Sequence, residues 1–198
     1  MTHTPERIAE EASAQERKTL GFWIYIMTDC VLFATLFAVY AVLRNATDGG
    51  PSGGELFSMP YILVETMILL ASSFTIGMAL LGSTRGYYKQ SLIWLLVTFV
   101  LGISFLVLEV SEFQVLIADG DGPQRSAFLS AYFTLVATHG LHIAVGLLWM
   151  IVVAVRLIHF RFKKTDINRL ALLGLFWHFL DIIWIFIFTF VYLFGEIL

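Results

Sequence analysis

The residues of this chain that are best suited to chemistry are histidines and aspartates inside long apolar stretches. His139 and His142 are three positions apart and so share one face of a helix, and His178 and Asp181 have the same spacing. Asp29 lies in a third apolar stretch. Such groups can ligate a haem or metal, relay protons, or hydrogen-bond to one another and hold helices together. The spacing alone favours the last use but leaves all three open.

Three further carboxylates lie near the ends of apolar stretches. Glu109 and Glu112 are also three positions apart, and Glu65 lies about one turn inside another stretch. Two facing carboxylates can do acid/base chemistry. Near a membrane surface, however, such groups are more often solvated or bonded to a nearby loop. We therefore expect a structural role for them.

The elements that must position these residues are membrane-spanning helices. Of the 198 residues, 59% are hydrophobic and only 14% are charged, whereas soluble domains carry roughly a quarter charged residues. Five stretches are long enough to cross a bilayer as helices, at about residues 20–43, 60–81, 91–118, 127–157 and 170–194. The sequence predicts an all-α, polytopic bundle of five transmembrane helices over residues 20–198. A polar tail or surface helix over residues 1–19 would precede it.

The basic residues predict the orientation of this bundle. Two of the segments between spans and the N-terminal tail would lie on one side of the membrane, and together they carry ten of the twelve lysines and arginines. The opposite side has only Arg44 and Arg125. Because cytoplasmic loops are enriched in positive charge, we expect a cytoplasmic N-terminus and a periplasmic C-terminus.

The ionisable residues within the spans fall into two layers at about 1.5 Å per residue. Asp29, His139 and Asp181 lie near the midplane, with His142 and His178 slightly to the cytoplasmic side. The glutamates lie near the outer surface. Because an ionised group is costly in hydrocarbon, we expect these side chains to face the interior of the bundle.

The cytoplasmic loop before the last span interleaves basic and apolar residues. Its basic members are Arg156, Arg161, Lys163 and Lys164. This pattern is typical of a contact with anionic lipid headgroups, although the general positive bias of cytoplasmic loops explains it equally well. The net charge of −3 and the lack of a dense basic run give no indication of nucleic-acid binding.

Three motifs together resemble subunit III of the haem-copper respiratory oxidases. They are GFWIYIMTDC at 21–30, THGLH at 138–142 and FWHFLDIIW at 176–184. They occur in the order and spacing of that family, and the resemblance covers nearly all of the chain beyond the N-terminal tail. The presence of five helices rather than seven, and the stretch from Gly49 to Thr66, resemble the cytochrome bo type ubiquinol oxidase branch.

The resemblance implies an accessory subunit without a redox centre in a proton-pumping ubiquinol:oxygen oxidoreductase of the bacterial cytoplasmic membrane. Haem and copper would belong to the partner, subunit I. This chain would pack on subunit I and other oxidase subunits, hold structural phospholipid, and support assembly and sustained proton uptake. It would contain no catalytic residue and no metal ligand.

Individual residues can also be placed by the resemblance. His139, His142, His178 and Asp181 match the positions of the family motifs, and Asp29 lies where the family often has glutamate. This favours an intramembrane polar network of these five residues over a cofactor site.

Three alternatives remain at this stage. One is a related five-helix subunit associated with nitric oxide reductase. Another is a b-type cytochrome with His139 and His178 as axial haem ligands. The third is a small stand-alone proton transporter, although transporters often contain internal repeats and we find none in the sequence.

Overall fold

The computed structural model describes residues 5–50, 59–160 and 164–197, and all regular secondary structure within these ranges is helical. Five long helices run as α1 Pro5–Leu43, α2 Met59–Thr84, α3 Tyr88–Ala118, α4 Ala127–Phe160 and α5 Lys164–Ile187. A π-helical segment Phe188–Leu193 and a last short helix, α6 Phe194–Ile197, continue α5. Among these described residues, five helical segments are long and apolar enough to cross a membrane. The prediction of an all-α bundle with five spans is confirmed.

The first helix is longer than the sequence pattern indicates. The predicted span from residue 20 is continuous with the helix that precedes it, because α1 runs without a break for 39 residues. Pro5 occupies its first position, where proline is tolerated, and no proline follows until Pro51. At about 1.5 Å per residue, this helix extends well beyond a hydrocarbon core of about 30 Å.

A tight turn makes α2 and α3 antiparallel neighbours. Gly86 has a φ of 80°, and the N–H of Tyr87 donates to the carbonyl of Gly82 at 2.8 Å. Hydrogen bonds then join the two helices at both ends. The Ser91 hydroxyl donates to the carbonyl of Ala79 at 2.8 Å, and the Tyr61 hydroxyl donates to that of Leu108 at 2.9 Å.

The pair α4 and α5 lies between α1 and the α2–α3 hairpin. Helix α1 packs against α4 and α5, whereas α2 packs against α5 and α3 packs against α4. We call the end with residues 44–50 and 119–126 the Asp48 end, and the opposite end the Gly86 end. The Asp48 end is tied together by the N–H of Phe128, which donates to the carbonyl of Ala46 at 3.2 Å.

Two buried tryptophans of α5 provide its contact with α2. Trp177 and Trp184 are seven residues apart and have exposures of 0% and 1%. The indole N–H of Trp177 donates to the Ser72 hydroxyl at 2.9 Å, and that of Trp184 donates to the Thr66 hydroxyl at 3.1 Å. Because a buried indole N–H needs an acceptor, these bonds fix the rotation of α5 against α2.

Glycines on the two other neighbouring helices make room for Trp177. A Cβ atom at Gly102 of α3 would lie 2.8 Å from the Trp177 ring and 2.9 Å from Leu147. One at Gly146 of α4 would lie 3.1 Å from the same ring. Small residues at helix contacts allow this close approach, so Trp177 joins α2, α3, α4 and α5 at one point.

We therefore expect Gly102→Ala to lower the free energy of unfolding by about 1–3 kcal/mol, the usual range for overpacking a well-filled core. The ring of Trp177 cannot move away without losing its bond to Ser72. Thermal unfolding of the purified chain in detergent measures the effect. The matched control is Gly77→Ala, because a Cβ there meets no atom within 4 Å and alanine is the better helix former. Equal melting temperatures for the two variants would contradict the packing argument.

Candidate functional site

Asp29 and His142 face each other between α1 and α4. The carboxylate oxygen Oδ1 of Asp29 lies 3.8 Å from Nε2 of His142, and Asp29 is buried. Nδ1 of His142 lies 2.7 Å from the Thr138 carbonyl. Since a carbonyl only accepts, Nδ1 carries the hydrogen and Nε2 is the nitrogen free to interact with Asp29. The hydroxyl of Tyr25, one turn earlier on α1, also interacts with Asp29.

His139 links α4 to α5 and is completely buried. Its Nε2 lies 3.2 Å from the carbonyl of Leu180, to which it donates. Aromatic rings surround the imidazole, with ring centroids at 5.2 Å for Trp184 and 5.8 Å for Phe105. Nδ1 has no hydrogen-bond partner among the described residues.

His178 and Asp181 lie on the side of α5 that faces α2. Nδ1 of His178 lies 2.6 Å from the Ser73 hydroxyl and 4.0 Å from Oδ2 of Asp181. The second distance is too long for a hydrogen bond. Asp181 is buried, whereas 47% of the His178 side chain is exposed on the surface of the bundle.

The five predicted inner residues therefore form two pairs and one separate histidine. Asp29 with His142 joins α1 to α4, and His178 with Asp181 lies beside α2. No hydrogen bond between described residues connects these groups to one another or to His139. A single network of all five stays a prediction.

The three glutamates come together, which the sequence does not indicate. Glu65 and Glu109 have exposures of 0% and 2%, so they face the bundle interior and are not solvated. Glu109 interacts electrostatically with Glu65 and Glu112. Each lies several residues inside its helix and faces the bundle interior, which explains the burial.

Two tyrosines that we did not single out complete this group. The Tyr192 hydroxyl lies 3.4 Å from Oε2 of Glu112 and 3.0 Å from the Tyr132 hydroxyl. Tyr192 belongs to the π-helical segment and Tyr132 to α4. Buried aromatic residues are common in membrane helices, so no sequence signal marks these two. We call the three glutamates and two tyrosines the carboxyl cluster.

Gly140 of α4 makes room for the carboxyl cluster. A Cβ atom at this position would collide with the carboxylate of Glu109, whose Oε2 would be 2.8 Å away. Packing thus requires a glycine at this position of the HGLH motif, because Glu109 rests directly on the α4 backbone.

Of the predicted lipid-contact residues, Arg156 lies at the Gly86 end. Nε of Arg156 and Nη1 of Arg169 lie 3.4 Å and 3.5 Å from the same oxygen of buried Asp166. Lys164 begins α5, and Arg161 and Lys163 lie outside the described residues. Arg156 thus serves partly to join α4 to α5.

Within residues 5–50, 59–160 and 164–197, no group of three or more histidine, cysteine, aspartate or glutamate side chains has the arrangement of a metal site. His139 also directs one ring nitrogen at a backbone carbonyl and packs its ring among aromatic side chains. Of the five inner residues, His139 and His178 each hydrogen-bond to a neighbouring helix.

Comparison with known proteins identifies several relatives of this chain. It is 55% identical over 177 residues to the cytochrome bo(3) ubiquinol oxidase subunit 3 of Pseudomonas aeruginosa, covering 89% of this chain and 85% of that protein. The Pseudomonas putida protein of the same name is 51% identical over 90% of this chain and 86% of its own length. The cytochrome c oxidase subunit 3 of Bacillus sp. PS3 is 40% identical over 98% of this chain and 99% of its own length.

The family model described as cytochrome c oxidase subunit III matches residues 9–196. This match covers all five membrane helices and confirms the resemblance predicted from the three motifs. The chain therefore belongs to the cytochrome c oxidase subunit III family.

Proposed function

We propose that this chain is subunit 3 of a proton-pumping ubiquinol oxidase of the bo(3) type in a bacterial cytoplasmic membrane. The main support for this assignment is sequence identity: the chain is 55% and 51% identical to two subunits with that name over about nine-tenths of its length. The cytochrome c oxidase subunit named above is less similar, at 40% identity. The quinol branch is therefore the better-supported assignment.

Within this complex the chain is an accessory subunit without a redox centre. Haem and copper belong to subunit I, and this chain supports assembly and sustained proton uptake. Two contacts support this role: Nε2 of His139 donates to the Leu180 carbonyl, and Nδ1 of His178 contacts the Ser73 hydroxyl. Both side chains already serve helix contacts that axial ligation of a haem would disrupt.

Subunit I packs against the face formed by α2 and α5. His178 supports this choice, because 47% of its side chain is exposed near the middle of a membrane-spanning helix. A polar imidazole facing lipid at this depth is unfavourable, and such groups usually face protein. Ile182, one turn later on the same face, is also 53% exposed.

A phospholipid chain lies between α3 and α4 toward the Gly86 end. An apolar groove of about 340 Å³ there includes Leu96, Phe99, Ile151 and Ile158 in its lining. The basic residues around Arg156 lie at this end, where a headgroup phosphate of such a lipid would be held.

The N-terminus lies in the cytoplasm and the C-terminus in the periplasm, as the distribution of lysine and arginine indicates.

Affinity purification of the tagged chain from native membranes tests the assignment. We expect a haem-copper subunit I and a subunit II without a copper site for cytochrome c, identified by mass spectrometry, together with bound phospholipid. Recovery of nitric oxide reductase subunits, or of the chain alone, would contradict the proposal.

A photocrosslinking residue tests the proposed contact face in the same complex. A crosslinker at Ile182 should join this chain to subunit I, whereas one at Val107 of α3, which is 61% exposed, should not. The reverse pattern would place subunit I on α3.

Asp29→Asn should make the oxidase lose activity faster during sustained turnover. The asparagine keeps the shape of the side chain but replaces one carboxyl oxygen by an amide nitrogen, which alters the contact with His142 at 3.8 Å and loosens α1 against α4. We expect a normal initial rate and a faster loss of oxygen consumption during repeated turnover. The control is Cys30→Ser, since Cys30 is the exposed next residue. Unchanged assembly and unchanged activity loss in Asp29→Asn would refute the role of this pair.

Cysteine labelling tests the orientation, because the chain has one native cysteine. In a Cys30→Ser background, Asp119→Cys should react with a membrane-impermeant maleimide on intact spheroplasts. Arg85→Cys should react only after the membrane is permeabilised. Labelling of Arg85→Cys alone in intact spheroplasts would reverse the proposed topology.

A further inference from the structure

The carboxyl cluster has no part in the proposed function, yet it concentrates ionisable groups inside the membrane-spanning region. It combines Glu65 of α2, Glu109 and Glu112 of α3, Tyr132 of α4 and Tyr192 of the π-helical segment. Glu65 is six residues from the start of α2 and Glu112 is six residues from the end of α3. At about 1.5 Å per residue, both lie about 9 Å inside their helices at the Asp48 end.

No positive charge balances these glutamates in the described part of the chain. Its ion pairs involve only other residues, and the groups that act electrostatically on Glu109 are Glu65 and Glu112. The side chains from α4 and the π-helical segment that join the cluster are the hydroxyls of Tyr132 and Tyr192. From α1, the nearby Tyr40 hydroxyl lies 3.4 Å from the backbone carbonyl of Val191.

The three carboxylates are not equivalent. Glu112 is partly exposed and faces the hydroxyl of Tyr192 at 3.4 Å. Both oxygens of Glu65 and Oε2 of Glu109 are buried without a hydrogen-bond partner among the described residues. A buried carboxylate without a donor or a counter-charge is so unfavourable that it takes up a proton. Of the three, Glu112 has the surroundings best suited to a negative charge.

A metal ion is a poorer occupant than protons. Calcium requires six to eight oxygen ligands and magnesium a nearly ideal octahedron. Within the described residues, the carboxylates are not arranged as a site that could hold a metal. A proton needs only one carboxyl oxygen, and it neutralises each buried group separately.

We propose that Glu65 and Glu109 hold protons as neutral carboxylic acids within the membrane span, and that Glu112 exchanges these protons with the surroundings. In each transfer, the O–H bond on one carboxyl group breaks as a new O–H bond forms on the next carboxyl oxygen. No electron is transferred, so no group is oxidised or reduced. The cluster is thus a proton-binding site, reached from the Asp48 end through the partly exposed Glu112.

Infrared difference spectroscopy of the full chain, purified with its copurifying subunits, tests the proposal. Glu65→Gln and Glu109→Gln should each remove one carbonyl stretching band of a protonated carboxylic acid, and this band should shift in D2O. Melting temperatures should not fall, because glutamine is a neutral isostere of the protonated acid. Asp119→Asn, an exposed loop carboxylate, is the control and should remove no such band.

The exchange role of Glu112 has its own readout. Glu112→Gln should leave both bands in place but slow their shift after transfer into D2O several-fold. An unchanged rate would overturn the exchange route.

Three other results would overturn proton storage by Glu65 and Glu109. They are the loss of ionised carboxylate bands in the glutamine variants, a marked fall in their melting temperature, and a calcium- or chelator-dependent melting temperature in the wild type. Since every readout compares this chain with its own variants or with itself in the presence of calcium or chelator, these outcomes do not depend on which oxidase subunits copurify.

Discussion

The position of Trp177 is the packing constraint on which most of the bundle depends. Its ring fills a slot between Gly102 of α3 and Gly146 of α4, while its N–H is held by Ser72 of α2. Lipid chains are as apolar as leucine, so burial of apolar surface does little to hold membrane helices together. Close packing and interhelical hydrogen bonds must do so instead, and Trp177 supplies both to four helices. Helix α1 lies outside this contact and packs on α4 through other side chains, among them buried Phe33 beside His142 and Asp29, which faces the same histidine.

Because close packing holds the helices together, the polar residues near the midplane mainly determine which helix faces meet. Each makes a short local contact: His139 with a backbone carbonyl, His142 with a carbonyl and Asp29, and His178 with Ser73. A hydrogen bond between membrane helices contributes only about 0.6 kcal/mol on average. These contacts therefore specify which faces of the helices meet, and close packing supplies much of the remaining stability.

Length, composition and motif spacing were sufficient to predict the five spans and the family. The side-chain pairs could not be predicted in the same way, because they depend on how each helix is rotated about its axis. His139 and His142 have i, i+3 spacing, yet one contacts α5 and the other faces α1. The carboxyl cluster was missed for the same reason. Depth and charge placed the glutamates in one layer facing the bundle interior, but they could not show that the three side chains meet.

The π-helical segment Phe188–Leu193 shows how the carboxyl cluster depends on a departure from regular helix. In an α-helix each residue advances by about 100°, so the wider π turn changes the direction of every side chain that follows. Tyr192 lies in this segment, and its hydroxyl meets both Tyr132 and Glu112. Because π turns are rare and are found frequently at functional sites, stability alone is a poor explanation for this one. The segment gives Glu112 a donor, while Glu65 and the buried Oε2 of Glu109 lack one, and it thereby creates the inequality among the three carboxylates.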